Sequence, residues 1–134
     1  MVFECVDHPA ISCQDVLGQV DWYCRNLGLK VIFNNGATPP SVLIGYDGER
    51  TSIELMPVRD SGPSPEKAPR FQAGLRHLAV RVSNFEEAYG RLRNLGVKFL
   101  FEPAEAVGGG MVVSFRDPEG NELQIVERPG NDGP

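Results

Sequence analysis

Residues 26–33 read NLGLKVIF, and residues 94–101 read NLGVKFLF. Nearly the same eight letters recur sixty-eight positions later in a chain of 134 residues. The echo extends in both directions. VDHPAISCQDVLGQVDWYCR precedes the first copy and LRHLAVRVSNFEEAYGRLR the second, each with a histidine at its third letter. His8 and His77 lie sixty-nine apart, so the first segment carries one extra residue. Downstream, SVLIGYDGERTSIELMPV (41–58) aligns without a gap on MVVSFRDPEGNELQIVER (111–128), seventy positions on. A period near seventy is too long for a solenoid repeat. It fits a supersecondary module duplicated once.

Each module reads strand–helix–strand–strand–strand. ECVDHPAISC and GLRHLAVRVS are short and rich in apolar or β-branched residues, which predicts strands. In the second module Asn84 predicts a helix N-cap, with Glu87 three residues on completing a capping box. Phe85, Ala88, Tyr89, Leu92 and Leu95 then share a helical face, and Gly96 ends it. In the first module the stripe is Val16, Val20, Tyr23 and Leu27, stopped by Gly28. LKVIF and VKFLF follow as strands. The last two strands of each module are joined by a turn, YDGE in one and DPEG in the other. Pro118 at the second turn position and Gly120 at the fourth suit a type I turn. The modules so defined span 4–58 and 74–128. The stretch 59–73 between them is rich in proline, serine and charge and reads as a linker, and 129–134 as a flexible tail.

Composition excludes several function classes. Apolar residues make up 41% and charged residues 23%, as in ordinary globular proteins. With 18 acidic and 13 basic residues the net charge is −5, and no basic stripe offers itself to a nucleic-acid backbone. No apolar run approaches the ~20 residues that cross a bilayer. The first ten residues lack the basic flank and apolar stretch of a signal peptide. Cys5, Cys13 and Cys24 form no C-x-x-C pair, so reduced cysteines and a cytoplasmic protein are expected.

A helix covers one face of each small sheet, and strand parity sorts the side chains between the two faces. Leu78, Val80 and Val82 suit the helix side, leaving His77, Ala79 and Arg81 opposite. Ile53 and Leu55 pack inward, leaving Glu54 and Met56 opposite. Leu123 and Ile125 pack inward, leaving Gln124 and Val126 opposite. His8 shares its face with Ala10 and Ser12. Taken singly, a strand histidine is more often a hydrogen-bonded structural residue than a ligand. Here the chain's two histidines occupy equivalent repeat positions, and so do Glu54 and Gln124. If the modules pair about a pseudo-two-fold axis, two imidazoles, a carboxylate and an amide oxygen converge. That is a donor set for a divalent metal such as zinc, nickel, manganese or iron, and two histidines with one carboxylate make the iron triad of oxygen-activating enzymes.

DHPAIS, SIELMPV, GLRHLAVRV and DPEGNELQIVE resemble the vicinal oxygen chelate superfamily, which includes glyoxalases, epimerases, extradiol dioxygenases and bleomycin-resistance proteins. The resemblance covers residues 4–128. It implies an α+β fold of two tandem βαβββ modules forming an open, cleft-lined mixed sheet. It carries ligand positions over to His8, Glu54, His77 and Gln124, but not to Glu122, two residues off register. The family usually holds a glutamate at the position of Gln124. An amide coordinates through its oxygen but takes up no proton, so the base role passes to Glu54. Ala73 stands where glutathione-binding members carry an arginine, and AVGGGMV lacks their lysines, so glutathione is not favoured. The function implied is a metal-dependent lyase or isomerase acting on a small oxygenated substrate through a chelated enediolate-like intermediate, with Arg81 and Met56 at the substrate. Alternatives are an extradiol-type dioxygenase and a metal-free, drug-sequestering protein walled by Trp22, Met56, Phe71 and Phe115. The resemblance also implies a homodimer.

Overall fold

The computed structural model describes residues 2–59 and 73–130. Most of the expected linker and the end of the expected tail, with Phe71, lie outside the described residues. The chain divides into two compact units, Met1–Pro65 and Glu66–Pro134.

In the first unit, β1 (Ala10–Cys13) leads into α1 (Val16–Leu27), then β2 (Lys30–Asn34), β3 (Val42–Gly45) and β4 (Ile53–Pro57). The sheet order is β1-β4-β3-β2, with β1 parallel to β4 and the other pairs antiparallel. The second unit repeats the plan: β5 (Leu78–Arg81), α2 (Phe85–Asn94), β6 (Ala104–Glu105), β7 (Met111–Arg116) and β8 (Glu122–Glu127), in the order β5-β8-β7-β6. The duplicated βαβββ module expected from the repeat is the observed topology.

The helices end where their chemistry says. The Asp15 carboxylate accepts from the Gly18 amide and caps α1, and Gly28 terminates it at φ 74°. Asn84 accepts from the Glu87 amide at the start of α2. Glu127 adds a second acceptor there, 2.8 Å from the Phe85 amide. The first core gathers Tyr23, Val42, Ile44 and Leu55, and the second Val113, Phe115, Leu123 and Ile125, each at most 1% exposed.

Several sequence expectations are corrected. VKFLF is not a strand. It contributes one isolated bridge, Phe99 to Phe115, and the Leu100 amide donates to the Ser114 carbonyl, while the edge strand β6 begins three residues beyond Phe101, at Ala104–Glu105. Its aromatic rings explain the departure: Phe99 packs on Tyr89 of α2 and on Phe115, at centroid distances of 4.7 and 6.1 Å, instead of alternating across a ladder. Leu95 leaves the α2 stripe because the helix stops at Asn94, and its side chain is exposed. Gln19 joins the buried stripe of α1 beside Val16 and Tyr23. β1 and β5 are shorter than expected and begin after their histidines. Upstream of β1 the pairing continues irregularly, through Ser52 donating to Asp7 and Glu54 donating to Pro9.

Candidate functional site

In the first unit the parallel pair sets Ala10 beside Glu54, which brings His8 to the carboxylate. Ile53 and Leu55 are buried, so Glu54 projects from the other face, half-exposed, as parity predicts. His8 Nε2 stands 3.3 Å from Glu54 Oε1. On the other side of the ring, His8 Nδ1 is 2.8 Å from Asp7 Oδ2.

This arrangement has a chemical consequence. With Nδ1 donating to Asp7, a neutral His8 presents the bare lone pair of Nε2 to an anionic oxygen. Two acceptors then face each other, and only a cation between them, a proton or a metal ion, removes the conflict. The pKa of His8 is accordingly raised from its ordinary value, first by the Asp7 hydrogen bond and further by the charges of Asp7 and Glu54, with desolvation opposing. One imidazole nitrogen and one carboxylate oxygen, accessible and facing, fit half of a divalent-ion site.

In the second unit the equivalent parallel register sets Ala79 beside Gln124. Leu123 and Ile125 are buried, and Gln124 is half-exposed on the other face. Its amide nitrogen donates to Ser114 Oγ at 3.0 Å. Ser114 is fully buried and lies directly across the β7–β8 ladder. His77 precedes β5, with Nδ1 4.0 Å from the buried carboxylate of Glu122. That distance is too long for a hydrogen bond.

The structure thus brings His8 to Glu54 within one unit. Among the described residues, no group of three or more histidine, cysteine, aspartate or glutamate side chains forms a ready metal cluster. Arg81 is exposed at the end of β5, and Met56 is half-buried on β4. Trp22 is half-buried on α1, its ring edge-on to Tyr23. Phe115, expected as a wall of a drug cleft, is fully buried in the second core and is unavailable to a ligand. Val126, expected on the same face as Gln124, is buried. Asp7 and Ser114 were not singled out in the sequence. Asp7 had a readable signal, since it adjoins the histidine. Ser114 had none, because its place opposite Gln124 depends on the hairpin register.

The sequence profile of the glyoxalase/bleomycin resistance protein/dioxygenase superfamily matches residues 6–125. The chain belongs to this superfamily. Relatives within reach include YwkD of Bacillus subtilis (strain 168), 27% identical over 132 residues covering 96% of this chain and 100% of that one. A lactoylglutathione lyase of Escherichia coli O157:H7 is 24% identical over 127 residues, 90% of each chain. A superfamily member from Sphaerobacter thermophilus DSM 20745 shares the fold with a TM-score of 0.76, at 24% identity over 96% of this chain and 100% of that one. In this superfamily member, no helix among the described residues is long and apolar enough to cross a membrane.

Proposed function

We propose that this superfamily member is a metal-dependent lyase or isomerase, with His8, Glu54, His77 and Gln124 as donors to one divalent ion of zinc, nickel, manganese or iron. The observation that carries the reading is the His8–Glu54 contact, an imidazole nitrogen set 3.3 Å from a carboxylate oxygen, a pairing that a proton or a metal ion can bridge. Its counterpart supports it: the same parallel register holds Gln124 at the equivalent place in the second unit. When bound, the ion would polarise adjacent oxygens of a small substrate and stabilise the anion left by proton removal.

The chain's own residues supply the rest. Glu54, half-exposed beside His8, would swing off the ion to take the proton from the substrate carbon and then return it. Gln124 has no titratable proton and only binds. Asp7 holds the His8 ring with Nδ1 occupied, which leaves Nε2 for the ion. Arg81 offers its guanidinium to an anionic substrate group, and Met56 an apolar contact. The similarity to a lactoylglutathione lyase suits this reaction class. Glutathione itself is disfavoured as substrate by Ala73 and by the 107–110 loop, which carries no lysine and is tied down by Arg128 donating to Val107 and Gly109 carbonyls. The dioxygenase reading lacks its carboxylate at position 124. The drug-binding reading loses Phe115 to the core.

Titration of the metal-free protein with Zn²⁺, Ni²⁺, Mn²⁺ and Fe²⁺ tests the proposal. Uptake of one ion per chain is expected, abolished in His8→Ala and in His77→Ala. No uptake of any of the four ions, or uptake indifferent to both substitutions, overturns it.

A further inference from the structure

We propose that Ser114 is a positioning residue that turns the Gln124 amide so that its oxygen, not its nitrogen, is presented as a ligand. The inference rests on the metal-site reading above and extends it to a residue outside the donor set. An amide has two ends of nearly equal size, and only the oxygen carries a lone pair for a cation. An unrestrained glutamine wastes half its orientations. Ser114 Oγ accepts from Gln124 Nε2 at 3.0 Å, which commits the nitrogen to the hydroxyl and frees the oxygen. The serine's backbone is itself held in place, because Ser114 is fully buried in the middle of β7 and its carbonyl accepts from the Leu100 amide on the side away from β8.

The repeat supplies an internal control. Across the ladder from Glu54 stands Leu43, which has no hydrogen-bonding side chain. A carboxylate presents an oxygen whichever way it is turned and needs no such partner. Where the ligand is a carboxylate, the chain places an aliphatic residue opposite. Where it is an amide, the chain places a hydroxyl.

The test is a double-mutant cycle on divalent-ion affinity, read with Zn²⁺ or Ni²⁺ in wild type, Ser114→Ala, Gln124→Glu and the double variant. Loss of an outer partner of a ligand weakens metal binding roughly 10–100-fold. Ser114→Ala is expected to lose about tenfold at the lower end of that range in the glutamine background, and less than about twofold when residue 124 is glutamate, because a carboxylate needs no orienting. An equal loss in both backgrounds assigns Ser114 a merely structural effect and overturns the proposal, as does no loss in the glutamine background. A second readout needs no metal. In the metal-free protein the Gln124 side-chain amide protons should exchange slowly with solvent, and the protection should vanish in Ser114→Ala. Unchanged exchange overturns the orienting bond itself. If all four forms fail to bind any ion while the exchange result holds, it is the metal reading that has failed, and the ligand role of Gln124 falls with it.

Discussion

Asp117 and Asp47 occupy nearly equivalent places in the two hairpins, yet their removal should have very different costs. Asp117 is 4% exposed. Its carboxylate accepts from the Glu119 amide at 2.9 Å, the Asn121 amide at 3.0 Å and the Asn121 side chain at 2.8 Å. Its own carbonyl accepts from Gly120 and closes the turn between β7 and β8. Hydrogen bonds to a charged group are each worth about 1.5–3 kcal/mol, and a buried donor left alone costs more. The donors here are only half-buried, so water recovers part of the loss, and Asp117→Ala should cost roughly 2–4 kcal/mol. Asp47 instead reaches Lys30 at 2.6 Å, with side chains 80% and 67% exposed. Such a pair is worth about 0.2–1 kcal/mol, and Asp47→Ala should stay within that range. Urea unfolding followed by circular dichroism measures both. The single tryptophan, Trp22, lies in the first unit, so its fluorescence in the Asp117→Ala protein also reports whether the two units unfold together. A cost below about 1 kcal/mol for Asp117→Ala, or equal costs for the two variants, would refute the claim that this turn is held by a buried carboxylate.

Gln124→Glu adds a negative charge to the proposed donor set and should tighten divalent-ion binding by about tenfold or more; unchanged affinity would mean that the side chain does not touch the ion. His8 has its pKa raised from 6.5 by the Asp7 hydrogen bond, so the stabilisation it gains as imidazolium is complete below that pH and is lost as pH rises through the higher value. Its proton resonances in the metal-free protein should titrate with a midpoint above 6.5 that falls in Asp7→Asn; a midpoint at or below 6.5 contradicts the bridged geometry. Tyr46 donates to the Leu27 carbonyl at 2.6 Å, and burial pushes its pKa up to about 12. Its neutral form is the one the fold favours, so its contribution to stability is intact below pH 10 and disappears as pH rises towards 12. An ultraviolet titration should show a late-ionising tyrosine contribution that Tyr46→Phe removes.

The order of elements was legible because the repeat carried it. Two histidines in matching places, two helices with matching stops and two terminal hairpins are enough to predict the paired βαβββ plan, and parity placed Glu54 and Gln124 correctly on the faces opposite their buried neighbours. The pairing across each hairpin was not legible. A gapless overlay of 41–58 on 111–128 carries the Leu43–Glu54 pair onto Val113 and Gln124, whereas the ladder joins Ser114 to Gln124. The turns differ: one closes between Tyr46 and Glu49, the other between Asp117 and Gly120, one place later than the overlay implies. Register follows turn geometry, and a change of one residue exchanges which side chain faces the ligand. VKFLF failed for a related reason. Its apolar letters suit a strand, but its rings pack on Tyr89 and Phe115, and tertiary packing overrides strand propensity.

Gln124 stands where the vicinal oxygen chelate resemblance implies a glutamate. On the proposed reading, two glutamates would neutralise a divalent ion, leaving little field for the substrate. With Glu54 as the one anionic donor, the proposed donor set would leave a net positive charge, binding an ion less firmly but favouring an anionic transition state more strongly. Order would offset the weaker grip: the buried Ser114 hydroxyl accepts from the Gln124 amide, and Asp7 lies 2.8 Å from the first histidine. On that reading, the proton chemistry would belong to Glu54 and Gln124 would serve only as a neutral, oriented donor. That division needs the very asymmetry in hairpin register that the sequence overlay conceals, since with Val113 opposite Gln124 no hydroxyl would meet the amide.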